Sequence, residues 1–196
     1  MRLFFLLLTL SNVSFASIGM VMISRGKAEI IQNKKSTEIK VGLKINEGDT
    51  IHTDSNSHVK LVMDDRNVIV VTENTELTLT QYTPNKNVHI DLKTGSLRHV
   101  VEQKYDGVKN KYEVKIPVAV IGVRGTDFIS EFDSTTGDSV LCTLKGAAAF
   151  TVDQSKASVI AKKGEFIRFK KGDIEAKVIE VKKPWLEKAL IKHNLD

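Results

Sequence analysis

Residues 115–128 read KIPVAVIGVRGTDF. This segment is mostly apolar, so we expect its backbone to be buried, yet Arg124 lies inside it between Gly122 and Gly125. Arginine is rarely buried without a partner, and two glycines so close together indicate tight backbone approach or positive φ. The proline at the third position favours the start or edge of a strand. The segment therefore predicts a strand, a tight crossing, and a second strand that begins at Thr126.

Outward from this segment, the sequence reads as short strands separated by glycine or polar turns. Apolar residues alternate over 59–63, a polar turn occupies 64–67, and 68–71 returns, which is a hairpin pattern. The same alternation recurs along the chain, with Thr94-Gly95 as a turn between two further strands. We therefore predict an all-β fold, a rolled or sandwich-like stack of short, mainly antiparallel strands.

The alternation of apolar and polar residues ends near the C-terminus, where residues 184–192 read PWLEKALIK. Proline is tolerated in the first turn of a helix, and Leu186 and Leu190 are four residues apart, as are Trp185 and Ala189. This spacing predicts a short amphipathic helix that docks on the sheet through its apolar stripe. The alternative is a frayed tail.

The N-terminal residues 1–16 have the features of a secretory signal peptide. Arg2 precedes an almost unbroken apolar segment, 3–10, and small residues flank Phe15 at the cleavage site. The apolar segment is shorter than the roughly 20 residues that span a bilayer, although an N-terminal anchor is the alternative. We expect a soluble, periplasmic or otherwise extracytoplasmic product with no membrane span. It would comprise a β domain over 17–183 and a helical tail over 184–196.

The charge pattern argues against a nucleic-acid partner. The 196 residues carry a formal net charge of +5, but the lysines are scattered and often alternate with apolar residues. That spacing is typical of solvated strand faces, whereas nucleic-acid sites cluster their basic residues. The single cysteine, Cys142, excludes an internal disulfide. We interpret it as a small buried hydrophobic residue, with a reactive thiol as the alternative.

No arrangement of residues indicates catalysis or a cofactor. His52, Asp54 and His58 could form a metal site only if a turn brings them together, and we do not favour one. The pair Asp64-Asp65 lies at a predicted hairpin tip, where aspartate is common for turn reasons. Ser96 and Ser130 lack a glycine-flanked nucleophile elbow. We expect a protein that is not an enzyme and that uses no metal or cofactor.

The chain resembles the FecR domain, an extracytoplasmic all-β domain, over about residues 21–167. The specific match is the run 121–128, IGVRGTDF, and an earlier segment around 48–53 supports it. The residues that carry this signature are Gly48, Asp49, Thr53, Gly122, Arg124, Gly125, Thr126 and Phe128.

The family includes regulators of iron-uptake signalling with a cytoplasmic anti-sigma segment and one membrane helix. This chain departs from that plan, so the resemblance does not imply anti-sigma activity. It implies a non-enzymatic module that binds an unidentified protein or envelope polymer, with a role in envelope signalling. The alternative is a structural or assembly subunit of the envelope. The sequence leaves the oligomeric state open.

Arg124 has both a structural and a functional interpretation. It could contact an anion or a partner, but its position between two strands favours a structural arginine that ties strands together. Asp49 and Asp127 are the candidate carboxylates, and we favour Asp49. Loss of a buried pair typically costs about 3–5 kcal/mol, so Arg124→Ala should destabilise the fold strongly.

Overall fold

A computed structural model describes residues 17–102, 105–106, 109–123, 125–173, 175–180 and 183–193. Within these residues the chain forms seventeen strands and one helix. The strands are β1 (Gly19–Arg25), β2 (Ala28–Gln32), β3 (Lys35–Glu38), β4 (Lys44–Ile45), β5 (Thr50–Thr53), β6 (His58–Met63), β7 (Val68–Val71), β8 (Thr75–Tyr82), β9 (Asn87–Val100), β10 (Lys111–Ile116), β11 (Ala119–Val123), β12 (Asp127–Phe132), β13 (Ser139–Lys145), β14 (Ala147–Val152), β15 (Ser158–Lys162), β16 (Glu165–Phe169) and β17 (Lys177–Glu180); the helix is α1 (Lys183–Lys192).

These strands form two stacked sheets that share β9. Sheet A has the order β4-β1-β6-β7-β9-β12-β13-β16-β17. Sheet B has the order β3-β2-β5-β8-β9-β10-β11-β14-β15. Each of these pairings is antiparallel except β9 with β10, which is parallel. The predicted all-β, sandwich-like stack with mainly antiparallel strands is confirmed.

Strand β9 passes from one sheet to the other at Gly95. Its first half pairs with β8 and β10, and its second half pairs with β7 and β12. The predicted turn at Thr94-Gly95 is therefore wrong, because the chain bends there within a single strand. Gly95 has φ +97°, and an added Cβ would lie 2.5 Å from Thr75 Cα. Only glycine fits this bend, because an L side chain disfavours the conformation and would clash.

Strand alternation builds one hydrophobic core between the sheets. In β6, Val59, Leu61 and Met63 are buried while the residues between them are partly exposed. The predicted hairpin is confirmed, since Val59 pairs with Val71 across β6 and β7. The period of two puts every second side chain into the core, which is why the sequence pattern predicted the strands correctly.

Helix α1 packs on the outer face of sheet A. Ala189 lies against Ile129 and Cys142 in a small apolar cluster that is separate from the main core. Trp185 stacks on Phe166, with ring centroids 5.7 Å apart. The predicted helix and its docking on the sheet are confirmed, and so is the burial of Cys142. Among the described residues, no helix has the length and apolar character needed to cross a membrane.

Candidate functional site

The family-like run 121–128 lies at the corner where the chain leaves sheet B and enters sheet A. Gly125, with φ +60°, makes the turn between β11 and β12. The Thr126 hydroxyl donates to the Ala147 carbonyl at 2.9 Å, and the Val101 amide donates to the Thr126 carbonyl at 3.0 Å. These bonds hold the corner against both sheets. The predicted tight crossing is confirmed, with the second strand beginning one residue later than expected.

The next two residues anchor this corner to β9. Asp127 accepts from Arg98 Nε and Nη2, at 2.9 and 2.8 Å. Phe128 is fully buried and stacks on His99, with ring centroids 4.6 Å apart and an interplanar angle of 10°. The register of β12 on β9 places Phe128 directly opposite His99, and it places Arg98 diagonally across from Asp127. Phe128 is therefore a core residue.

The earlier family-like segment forms a second set of backbone ties. Gly48 has φ +87°, which explains the glycine. The carboxylate of Asp49 accepts from Gln32 Nε2 at 2.6 Å and from the Asn46 amide at 2.7 Å. The buried hydroxyl of Thr53 donates to the Thr72 carbonyl at 2.6 Å. These contacts join β5 to β2 and to the turn before β8.

Arg124 lies outside the described residues, and its proposed pairing with Asp49 stays a prediction. The described residues give both candidate carboxylates other partners. Asp49 is bonded by Gln32 and Asn46, and Asp127 forms a two-point pair with Arg98. Sequence reasoning therefore missed Arg98 as an arginine that ties two strands of the corner.

Gly122 differs from the other signature glycines. Its φ is ordinary, and a Cβ added there would meet no atom within 4 Å. Tight approach or positive φ was predicted for both glycines of the run, but it holds at Gly125 and not at Gly122. The fold itself gives no steric reason for a glycine at this position.

Gly122 lies instead on the open outer face of sheet B. The register places Glu113, Gly122, Ala149 and Ile160 side by side across four adjacent strands. They line a cavity of about 340 Å³ whose wall includes Ala147. Ile160 is 58% exposed, the largest exposed fraction among the large apolar side chains of the described strands. The result is a shallow, small-residue surface over which another polypeptide backbone can approach closely.

A buried polar network surrounds the turn between β6 and β7. The Asp65 carboxylate accepts from Tyr82 Oη at 2.9 Å, from Asn67 Nδ2 at 2.9 Å and from Tyr105 Oη at 3.4 Å. Asn67 Oδ1 in turn accepts from the Glu102 amide at 3.1 Å. The network joins the β6–β7 turn, the end of β8 and the segment after β9.

His99 and Tyr112 continue this buried polar region. His99 Nδ1 lies 2.9 Å from Tyr112 Oη, and its Nε2 lies 3.3 Å from Ser130 Oγ. Burial lowers the pKa of His99 to about 3 and raises the pKa of Tyr105 to about 12. Neither His99 nor Ser130 exposes any surface. A substrate could not reach these groups, so they stabilise the packing of the two sheets.

A serine–histidine pair anchors the end of α1. His193 Nδ1 lies 2.8 Å from the Ala189 carbonyl, and its Nε2 lies 2.7 Å from Ser96 Oγ. Because a carbonyl only accepts, Nδ1 carries the proton and Ser96 donates to Nε2. Arg98 also donates to the His193 carbonyl at 3.2 Å. Both Ser96 and His193 are 1% exposed, so the pair holds the helix and is closed to substrate.

His52 and His58, the two histidines considered above for metal binding, do not form a metal site with Asp54. His52 Nε2 lies 3.3 Å from Asp54 Oδ1, which itself pairs with Lys27. His58 Nε2 is buried and has no hydrogen-bond partner among the described residues. Across all the residues that the structure describes, no three histidine, cysteine or acidic side chains lie close enough together to hold a metal ion.

The corner and most of the earlier segment lie within a region that matches a known protein family. A family model described as FecR protein matches residues 49–149, which is just over half of the chain. The chain belongs to the FecR family. The match begins at Asp49 and ends at Ala149, so it includes the run 121–128 and all of the earlier segment except Gly48, and it stops before α1. No curated protein matches the chain significantly.

Two solved structures of another protein have the same fold. Two crystal structures of a "putative anti-sigma factor" from Parabacteroides distasonis ATCC 8503, at 1.65 and 2.50 Å resolution, superpose with a TM-score of 0.61. Each is 13% identical and covers 72% of this chain, but only 64% and 63% of the chain compared. This FecR chain therefore spans less than two thirds of the length of those proteins, and the likeness shows the fold alone.

Proposed function

We propose that this FecR protein is a non-enzymatic, protein-binding module of the cell envelope with a regulatory role in signalling. The observation that carries the proposal is Gly122. It belongs to the family-like run, but neither its φ nor its surroundings require a glycine. A glycine that the fold does not require fits a surface that another polypeptide backbone approaches closely.

The outer face of sheet B around Gly122 supplies the binding surface. Its centre is bare, because Gly122, Ala147 and Ala149 project almost no side chain. Its rim is charged, with Glu113 lying 3.1 Å from His89 on the neighbouring strand. A small-residue centre with a charged rim suits a protein partner, since close backbone packing and polar bonds at the edge then occur together.

Location and domain limits are part of the same proposal. The signal-peptide features of residues 1–16 support export, with a β domain over 17–183 and a helical tail over 184–196. The FecR match supports an envelope protein. Intact-mass analysis of the envelope fraction tests this: we expect an N-terminus at Ser17, and a product that retains Met1 would contradict it.

The test of function is affinity capture from an envelope extract with the exported protein as bait. We expect one protein to be recovered in stoichiometric amount, and to be lost with Gly122→Leu, which fills the bare centre. The matched control is Asp91→Ala, at an exposed position of β9, which should retain the partner.

Two results would contradict the proposal. Self-association without another protein would favour a structural or assembly subunit, which is the alternative function. A partner retained equally by Gly122→Leu would place binding on a different surface. The melting temperature of Gly122→Leu must match that of the parent protein, so that a lost partner reports on the surface and not on unfolding.

A further inference from the structure

A second groove lies on the opposite side of the molecule, on the outer face of sheet A. Its floor is the cross-strand row Glu131, Val140 and Arg168, which lie in register on β12, β13 and β16. One wall is α1 and the other is the loop between β12 and β13. Two adjoining cavities of about 480 and 330 Å³ share Glu131 and Asp133 and extend along it.

The groove is acidic, whereas the chain as a whole has a net charge of +5. Its lining carries the carboxylates of Glu73, Glu131, Asp133 and Asp138, against the two cations Arg168 and Lys192. Arg168 is already engaged, because its Nη2 lies 3.1 Å from Asp138 Oδ2. Backbone hydrogen bonds from Thr135 and Thr136 lower the pKa of Asp133, so this carboxylate is ionised at neutral pH.

Glu131 is the carboxylate best placed to receive a ligand. It lies at the junction of the two cavities. It forms no ion pair within the part of the chain that the structure describes. An incoming cation would therefore gain a new partner there without breaking an existing pair.

An aromatic wall stands beside these carboxylates. Trp185 stacks on Phe166 with an interplanar angle of 15°, yet it remains 38% exposed. Both rings line the larger cavity together with Asp138 and Arg168. A lysine or arginine side chain can pack its methylene groups on an indole and place its charge near a carboxylate.

We propose that this groove binds an extended, basic segment of a partner polypeptide, with lysine or arginine side chains at Glu131 and Asp133 and against Trp185. The charge of the lining selects a cationic partner, and the length of α1 between Trp185 and Lys192 gives room for several residues. The groove goes beyond the function proposed above, since it is on sheet A and the surface around Gly122 is on sheet B. One protein could therefore hold two partners at once.

The chain contains a single tryptophan, so intrinsic fluorescence reports directly on the groove. The probe is N-acetylated, C-amidated tetralysine, titrated into the full exported protein at low ionic strength. We expect a saturable change in Trp185 emission. Glu131→Lys should raise the dissociation constant at least about 10-fold, as expected when an attractive charge becomes repulsive. Asp91→Lys, with the same charge change on sheet B, should leave the constant within about 2-fold.

Tetraglutamate and fully side-chain-acetylated tetralysine should give no saturable signal. The proposal is overturned if tetralysine produces no saturable change, or if Glu131→Lys and Asp91→Lys weaken binding equally, which would show non-specific charge attraction. It is also overturned if light scattering shows a dimer that Glu131→Lys abolishes, since the occupant would then be a second copy. None of these results affects capture through the Gly122 surface, so the two proposals fail independently.

Discussion

Arg98 and Asp127 form a two-point ion pair between β9 and β12, directly beside the corner where the chain changes sheets. The side chains are only 11% and 18% exposed, so the pair is shielded from solvent. Arg98 also donates to the His193 carbonyl at the end of α1. One guanidinium thus connects the family-like corner, the long shared strand and the C-terminal helix.

Removal of this guanidinium should destabilise the protein strongly. Arg98→Ala leaves Asp127 and the His193 carbonyl without their donor, and we expect a loss of about 3 kcal/mol in the free energy of unfolding. Arg98→Lys should recover little, because an ammonium cannot reproduce the planar two-point contact. Urea unfolding measures both. The control is Lys93→Ala on the same strand, whose exposed pair with Glu76 should contribute less than about 1 kcal/mol. Equal losses for Arg98→Ala and Lys93→Ala would contradict this account.

The bend of β9 gives a prediction about glycine. Gly95→Ala forces a side chain into φ +97° and against the Thr75 backbone, so we expect a loss of about 3 kcal/mol or more. Gly122→Ala has ordinary φ and open space, so its stability should change by less than about 1 kcal/mol. Thermal unfolding of the two variants side by side tests the contrast. A large loss for Gly122→Ala would show that this glycine has an internal structural role.

These residues show what the sequence could and could not predict. The alternation of apolar and polar residues is visible within a few neighbouring positions, so it correctly predicted the strands of the hairpin 59–71 and the all-β class. Register is not local: Arg98 reads as an ordinary outward-facing residue until β9 is known to pair with β12. Arg124 stands out in the sequence because glycines flank it, whereas Arg98 carries no such local signal. The bend at Gly95 was likewise read as a turn, since a glycine between two alternating runs looks the same in both cases.

Acid should weaken the attachment of α1 through His193. Burial lowers the pKa of His193 to about 4, although its bond to the Ala189 carbonyl acts in the opposite direction. Lys192, Arg98 and His58 also lower it through their charges. In the unfolded chain the pKa returns to about 6.5. The unfolded state therefore binds the proton first, and stability is lost as the pH falls from about 6.5 to about 4.

The pH dependence can be assigned by substitution. A histidine whose pKa is lower in the folded state than in the unfolded state should reduce the free energy of unfolding by about 1.4 kcal/mol for each pH unit of acidification in that window. His193→Gln should therefore reduce the slope by about that amount, while its stability at pH 7 is already lower. Urea unfolding at a series of pH values between 4 and 7 measures how the free energy of unfolding depends on pH. An unchanged slope for His193→Gln would refute the assignment.

Asp64 and Asp65 look alike in the sequence, and both lie in the turn between β6 and β7, but the structure separates them. Asp64 is exposed, whereas Asp65 is buried and accepts hydrogen bonds from Tyr82, Asn67 and Tyr105. The Tyr105 contact spans 40 residues of sequence, so no local pattern could have shown it.

Asp65→Ala should therefore leave the hydroxyls of Tyr82 and Tyr105 and the side-chain amide of Asn67 buried without the carboxylate that accepts their hydrogen bonds. Each lost hydrogen bond to a charged group is worth about 1.5–3 kcal/mol, so we expect a loss of at least about 3 kcal/mol in the free energy of unfolding. Tyr82→Phe removes one donor and should lose about 1.5 kcal/mol. Asp64→Ala should change stability by less than about 0.5 kcal/mol, as is usual for exposed positions. If urea unfolding gave the two aspartate variants equal stability, Asp65 would be a turn residue only, and the polar network would not hold the sheets together.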